Sequence, residues 1–229
     1  MESSLEFETL KADRAGAPQA IVVPVDGSAV ARHAADLAHS LAQRSGARLH
    51  LLHVKPLPIG VTAGVVDDSI DLSALDREVQ TLEHQYREWA LPYGAHTHIH
   101  IRTGELIETL AQVCAELAAS LVVMGTAGDH GWHEWLVGTN AEQVLHHIRT
   151  PLLSLKCDRS RWSLRNLLVI NDFQEQPPPL VPTLKWLADL DGATVHLLKV
   201  GPAEAQLHER MDAFARQQGL KRVPRATGG

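Results

Sequence analysis

Leu121-Val122-Val123-Met124-Gly125-Thr126-Ala127-Gly128 carries an apolar run of strand type straight into glycines, and a polar loop then leads to Gly138-Thr139-Asn140-Ala141-Glu142. The continuous apolar run suits a parallel strand buried on both faces. The glycines let backbone approach a ligand closely, and Thr139 opens a helix whose first N–H groups lack intrahelical partners. Strand, glycine loop and helix N-terminus together make an anion site. This stretch therefore predicts phosphate-binding architecture on an α/β sheet.

Working outward, strands alternate with helices. Ala20–Val25 is a continuous apolar strand, and Ser28 caps a helix that places Ala34, Leu37, Ala38 and Leu41 on one face and stops at Gly46. Arg48–Lys55 is a second strand. Pro56 to Asp68 reads as a loop, and Leu72, Leu75, Val79, Leu82, Tyr86 and Trp89 then fall at the spacing of a long amphipathic helix. A strand at His96–Arg102, a helix through Leu106, Leu110, Val113 and Leu117, the strand Leu121–Met124, a helix from Thr139 and a strand Pro151–Leu155 follow. Such alternation implies a parallel sheet with helices on both faces.

The remainder repeats the beginning. Gly46-Ala-Arg-Leu-His-Leu-Leu-His-Val-Lys-Pro56 aligns with Gly192-Ala-Thr-Val-His-Leu-Leu-Lys-Val-Gly-Pro202. The same offset puts Ile21–Val23 on Leu167–Val169 and Asp26 on Asp172. Register held across strand, helix and strand marks a second copy, because a one-residue slip inverts every strand face. The expected organisation is a mobile tail over 1–18, a first domain over 19–157 and an incomplete second copy over 163–229. That copy contributes strands at Leu167–Asn171 and Thr194–Val200 and a helix through Leu207, Met211 and Phe214, without a counterpart of Met124–Asn140.

Composition narrows the function. A chain of 229 residues, 45% of them hydrophobic, buries a real core. The formal net charge is −6 and no basic run stands out, which argues against a nucleic-acid surface. Cys114 and Cys157 form no C-x-x-C and no zinc spacing, so a reducing compartment is the simpler expectation. With no apolar stretch of spanning length and no leader-type core before Gly16, no membrane association and a cytoplasmic location are expected.

The glycine spacing is G-x2-G-x9-G-T; no G-x4-G-K-[ST] or G-x-G-x-x-G occurs. After a Met-Gly strand end, this spacing resembles the ATP-binding signature of the universal stress protein family, over roughly Gln19 to Lys156. The resemblance implies an open five-stranded parallel sheet of order 3-2-1-4-5, of the adenine-nucleotide alpha-hydrolase type, and a homodimer through Pro151–Leu155. It also implies ATP or AMP as ligand, with magnesium, and a backbone role for Val54 at the adenine edge.

In that order the sheet reverses between its first and fourth strands, and ligands sit beyond the carboxyl ends at such a point. Those ends are Val25-Asp26 and Met124-Gly125. Asp26 is placed to accept from a ribose hydroxyl or an adenine amino group. Thr139 starts a capping box with Glu142, so its hydroxyl can accept from the helix while donating to a phosphate. Gly128 and Gly138 admit N–H groups to phosphate oxygens, with Ala127 and Asn140 beside them. The same residues also serve a helix cap and two turns without any ligand. Many family members carry basic residues in this loop, whereas here Ala127, Asp129, His130, His133 and Glu134 leave it without Lys or Arg; a divalent metal or protonated His would offset the repulsion of Asp129 or Glu134.

His96, His98 and His100 share one strand face, either as metal ligands or as solvated or helix-contacting histidines. Trp132 and Trp135 serve as a lid or as a packing surface, and Cys114 belongs to the core. No nucleophile has an adjacent base. The leading expectation is a nucleotide-binding regulatory protein holding one nucleotide per chain in its first domain; the alternatives are a slow ATPase or related hydrolase, and a ligand-free assembly scaffold.

Overall fold

Five parallel strands with helices between them lie between Ala20 and Leu155. The computed structural model describes residues 18–56, 72–125, 147–155, 163–170, 180–198 and 207–217. It divides into two units, one being Pro18–Ser160 and the other containing the described residues after Arg161.

The first unit runs β1 (Ala20–Pro24), α1 (Ala29–Ser45), β2 (Arg48–Lys55), α2 (Leu72–Ala90), a 3-10 turn at Leu91–Tyr93, β3 (Thr97–Thr103), α3 (Leu106–Glu116), β4 (Leu121–Gly125) and β5 (Leu152–Leu155). All pairings are parallel and the order is β3-β2-β1-β4-β5, as expected. Strand limits differ from the sequence reading by a residue or so. β1 stops at Pro24, β3 is displaced to Thr97–Thr103, and β4 includes Gly125. The helix expected from Thr139 and the 56–68 loop lie outside the described residues, apart from Pro56.

Local chemistry sets these limits. Ser28 caps α1 by accepting from the Ala31 N–H at 3.2 Å, and Gly46 closes it in the left-handed region at φ 77°. The small stripe Ala31, Ala34, Ala35, Ala38 and Ala42, with Leu37 and Leu41, is buried and brings α1 close to the sheet. One close approach is at Gly125, where an added Cβ would lie 2.6 Å from Val30 Cγ1 and 2.8 Å from the Val30 carbonyl oxygen. Across the sheet, α3 packs Leu110, Val113 and Cys114 onto Val22, Leu52, Val122 and Ile148. Cys114 is a free, buried thiol pushed up to about 11 by that burial, which suits a core role.

The second unit contains β6 (Asn166–Ile170), α4 (Leu180–Asp191), β7 (Thr194–Leu198) and α5 (Leu207–Gln217). Its two strands are parallel, and Asn166↔Thr194 through Ile170↔Leu198 reproduce Ala20↔Arg48 through Pro24↔Leu52 at one constant offset. The helix ends coincide as well: α4 stops at Asp191 with Gly192 at φ 65°, as α1 stops at Ser45 before Gly46. Asn171, Lys199 and Val200 of the expected strands lie outside the described residues.

Candidate site at the carboxyl ends of β1 and β4

Pairing of Ile21 with Leu121 and Val22 with Val122 sets β1 and β4 side by side, so Val25-Asp26 and Met124-Gly125 emerge together where the strand order reverses. Met124 is buried and Gly125 half-buried. Gly125 has a plain structural duty here, since Val30 occupies the space a side chain would need. Val54 lies beyond the last β1 pairing, Pro24↔Leu52, because β2 continues to Lys55 after its neighbour has ended. Its side chain packs against the α3 face. Ala127, Gly128, Gly138, Thr139 and Asn140, like the loop residues Asp129 to Trp135, lie outside the described residues.

Asp26 is the polar centre of this crevice. Its Oδ1 accepts from the Ser28 N–H at 2.9 Å, which fixes the carboxylate at the entrance of α1. Its Oδ2 is buried, and among the described residues no donor reaches it. A buried carboxylate oxygen without a partner is costly. The orphaned oxygen fits a ribose hydroxyl or an exocyclic amine, both of which donate.

Two further side chains join it that sequence reasoning did not select. His53 Nδ1 lies 2.9 Å from the Val25 carbonyl, which can only accept, so Nδ1 carries the proton. The Tyr86 phenol oxygen is 2.9 Å from the same nitrogen and shares that N–H, leaving its own hydrogen to point elsewhere. Burial, and then the nearby Asp26 carboxylate, raise the Tyr86 phenol above its ordinary value, so the hydroxyl stays protonated. Tyr86 reads in sequence as one more apolar position of α2. Only the packing of α2 over the end of β2 shows its polar tip.

His98 of β3 is exposed, as a solvated histidine was expected to be, while His100 is bonded to His50 of β2. His50, 3% exposed, sits opposite His98 in the ladder and places Nδ1 3.0 Å from His100 Nε2. Its ring stacks on His98 at 5.0 Å with planes 20° apart. Stacked rings hold their lone pairs in parallel planes, and among the described residues no group of three ligands could hold a metal. Burial, then His100, His98 and Arg48, lower His50 to about 4; burial chiefly, with Arg102 and His98, also lowers His100. His96 is exposed.

A half-open cleft of about 450 Å³ lies at the other end of the strands, lined by His39, Gln43, Arg48, Tyr93 and His96 among others. It borders the carbonyl end of α1, and Gln43, Arg48 and His96 in its lining are exposed. Among the described residues, the buried carboxylate oxygen without a partner is Asp26 Oδ2.

A doubly wound parallel sheet of order β3-β2-β1-β4-β5 defines the class: an open α/β protein. The universal stress protein family model matches residues 18–156, and the chain belongs to that family. Universal stress protein G of Shigella flexneri is 30% identical over 153 residues, 60% of this chain and 99% of that protein. Of the universal stress protein E homolog of Haemophilus influenzae, the chain matches 19% of the length at 37% identity, using 26% of its own. Among solved structures, a functionally unknown protein of Pseudomonas aeruginosa shares the fold over 90% of this chain and 72% of that one, at 17% identity and a TM-score of 0.57. No described helix is long and apolar enough to cross a membrane.

Proposed function

We propose that this protein is an adenine-nucleotide-binding regulatory protein that takes one ATP or AMP, with magnesium, in the crevice between β1 and β4. The observation that carries the reading is the buried, unpartnered Oδ2 of Asp26 at the strand-order reversal. Asp26 and the Val54 backbone receive the nucleoside, Met124 and Gly125 wall it, and Ala127, Gly128, Gly138, Thr139 and Asn140 receive the phosphates. Family membership supports the same reading. The nucleotide is held by the first unit alone, and residues 163–229 are an incomplete second universal-stress copy. The protein works in the cytoplasm as a homodimer joined through Pro151–Leu155, where β5 forms the sheet edge.

Calorimetry with magnesium-ATP and with AMP tests the site. Asp26→Ala removes the acceptor and weakens binding by roughly 1–3 kcal/mol, the value of a hydrogen bond to a charged group. Unchanged affinity would overturn the site. Gly138→Val places a side chain in the phosphate path and abolishes binding while the sheet stays folded. Multiple-turnover hydrolysis would mark the protein as an ATPase instead, and no binding at all would mark a scaffold. For the dimer, sedimentation should show a two-fold species that Leu153→Lys dissociates; a wild-type monomer at all concentrations overturns it.

A further inference from the structure

The Asp26 crevice holds a buried acceptor and, over the same turn, a donor. Asp26 Oδ2 is buried, and among the described residues no donor reaches it. Tyr86 stands over the turn between β1 and α1, where a Cβ added to Gly27 would lie 3.8 Å from its hydroxyl oxygen. His53 Nδ1–H is shared by the Val25 carbonyl and that phenol oxygen, 2.9 Å from each. The phenol therefore accepts from His53, and its own hydrogen is left to donate.

The donor is held in place. The buried Tyr86 ring lies 4.7 Å from the His53 ring and 6.1 Å from that of Trp89, so the phenol is clamped on two sides. Burial, and then Asp26, keep it protonated. A fixed O–H beside a fixed carboxylate oxygen complements a ligand that offers an acceptor next to a donor, and an analogue lacking either leaves a buried polar group unpaired. The vicinal hydroxyls of a ribose are such a pair, because each can donate and accept.

We infer that Tyr86 is a specificity-determining residue of the crevice, whose hydroxyl donates to one ribose hydroxyl while Asp26 Oδ2 accepts from the other, and that His53 is the residue that positions it. The inference rests on the nucleotide reading above, with the base edge left to the Val54 backbone. It adds a sugar contact from α2, an element outside the glycine loop.

Calorimetric titration of the full chain with AMP, 2′-deoxy-AMP and 3′-deoxy-AMP, in wild type and in Tyr86→Phe, tests it. Wild type should bind both deoxy forms more weakly than AMP. Tyr86→Phe should bind AMP about fivefold more weakly, the worth of one hydrogen bond, and should cease to discriminate against one deoxy form while still rejecting the other, which Asp26 reads. The substitution keeps the ring and leaves the His53 N–H on the Val25 carbonyl, so thermal melting should stay close to wild type. If the variant does not fold, NMR of isotope-labelled tyrosine in wild type replaces it: AMP should shift the Tyr86 signal and one deoxy form should not. Unchanged AMP affinity in Tyr86→Phe, an equal loss for all three nucleotides, or a Tyr86 signal that responds alike to all three overturns the inference and leaves the nucleotide site standing. A wild type that binds none of them overturns the nucleotide reading itself, and this inference with it.

Discussion

Two strand–helix–strand segments of this molecule have the same hydrogen-bond register, the same helix end and opposite surroundings. In the first, Val22 and Leu52 are fully buried beneath α3; in the second, their counterparts Leu168 and Leu198 are 57% and 41% exposed. His50 is 3% exposed and bound to His100, whereas its counterpart His196 is exposed and bonded to Asn166 at 3.0 Å. The segment's own chemistry therefore reproduces the pairing but not the burial. Burial of the second face comes from elements far along the chain, α3 and β4, and the energetic weight of a residue depends on them.

The sharpest way to break this comparison is truncation at matched positions. Leu52→Ala should cost about 2–5 kcal/mol, because a fully enclosed side chain leaves a cavity. Leu198→Ala should cost under about 1 kcal/mol, as for an exposed site. Urea midpoints for the two variants measure the contrast; equal costs would mean that the second face is covered in solution.

A smaller effect follows from His50. Its folded value of about 4 lies below the 6.5 of the unfolded chain, so the fold prefers the neutral ring. The stability this represents is fully present above pH 6.5 and is lost as pH falls toward 4. His100, lowered as well, acts in the same direction. Urea denaturation should show a loss of order 2 kcal/mol over that window, and His50→Gln should flatten most of it. A variant as acid-sensitive as wild type would show that the seam between β2 and β3 is not where protons enter.

Smaller again is the cap of α1. Ser28→Ala removes the bond to the Ala31 N–H and should cost about 1 kcal/mol by thermal melting, with no change at the second unit's strands by hydrogen exchange. Ser28 also holds Asp26 Oδ1 through its backbone N–H, which the substitution keeps. Nucleotide affinity should therefore change less than in Asp26→Ala.

The sheet order was legible in the sequence because each strand and helix announces itself locally: an apolar run, a Ser cap, a left-handed glycine, and a repeat that cannot slip by one residue without inverting a face. Asp26 was legible for the same reason, standing at the end of an apolar run and before a capped helix. Gly125 was legible as a special position, and the structure adds a packing reason for it. Its missing Cβ makes room for Val30 at the packed start of α1, a contact between residues far apart in the chain.

What only the tertiary structure decided is which polar groups meet. The sequence shows His96, His98 and His100 on one strand face and leaves their partners open; parallel pairing of β2 with β3 puts the buried His50 among them, opposite His98 and bonded to His100. Tyr86 and His53 reach the Asp26 crevice only because α2 lies over the end of β2. Backbone pairing and capping use groups that every residue carries, so pattern suffices to locate them. Side-chain contact between distant segments depends on how layers pack, and a linear pattern does not contain that distance.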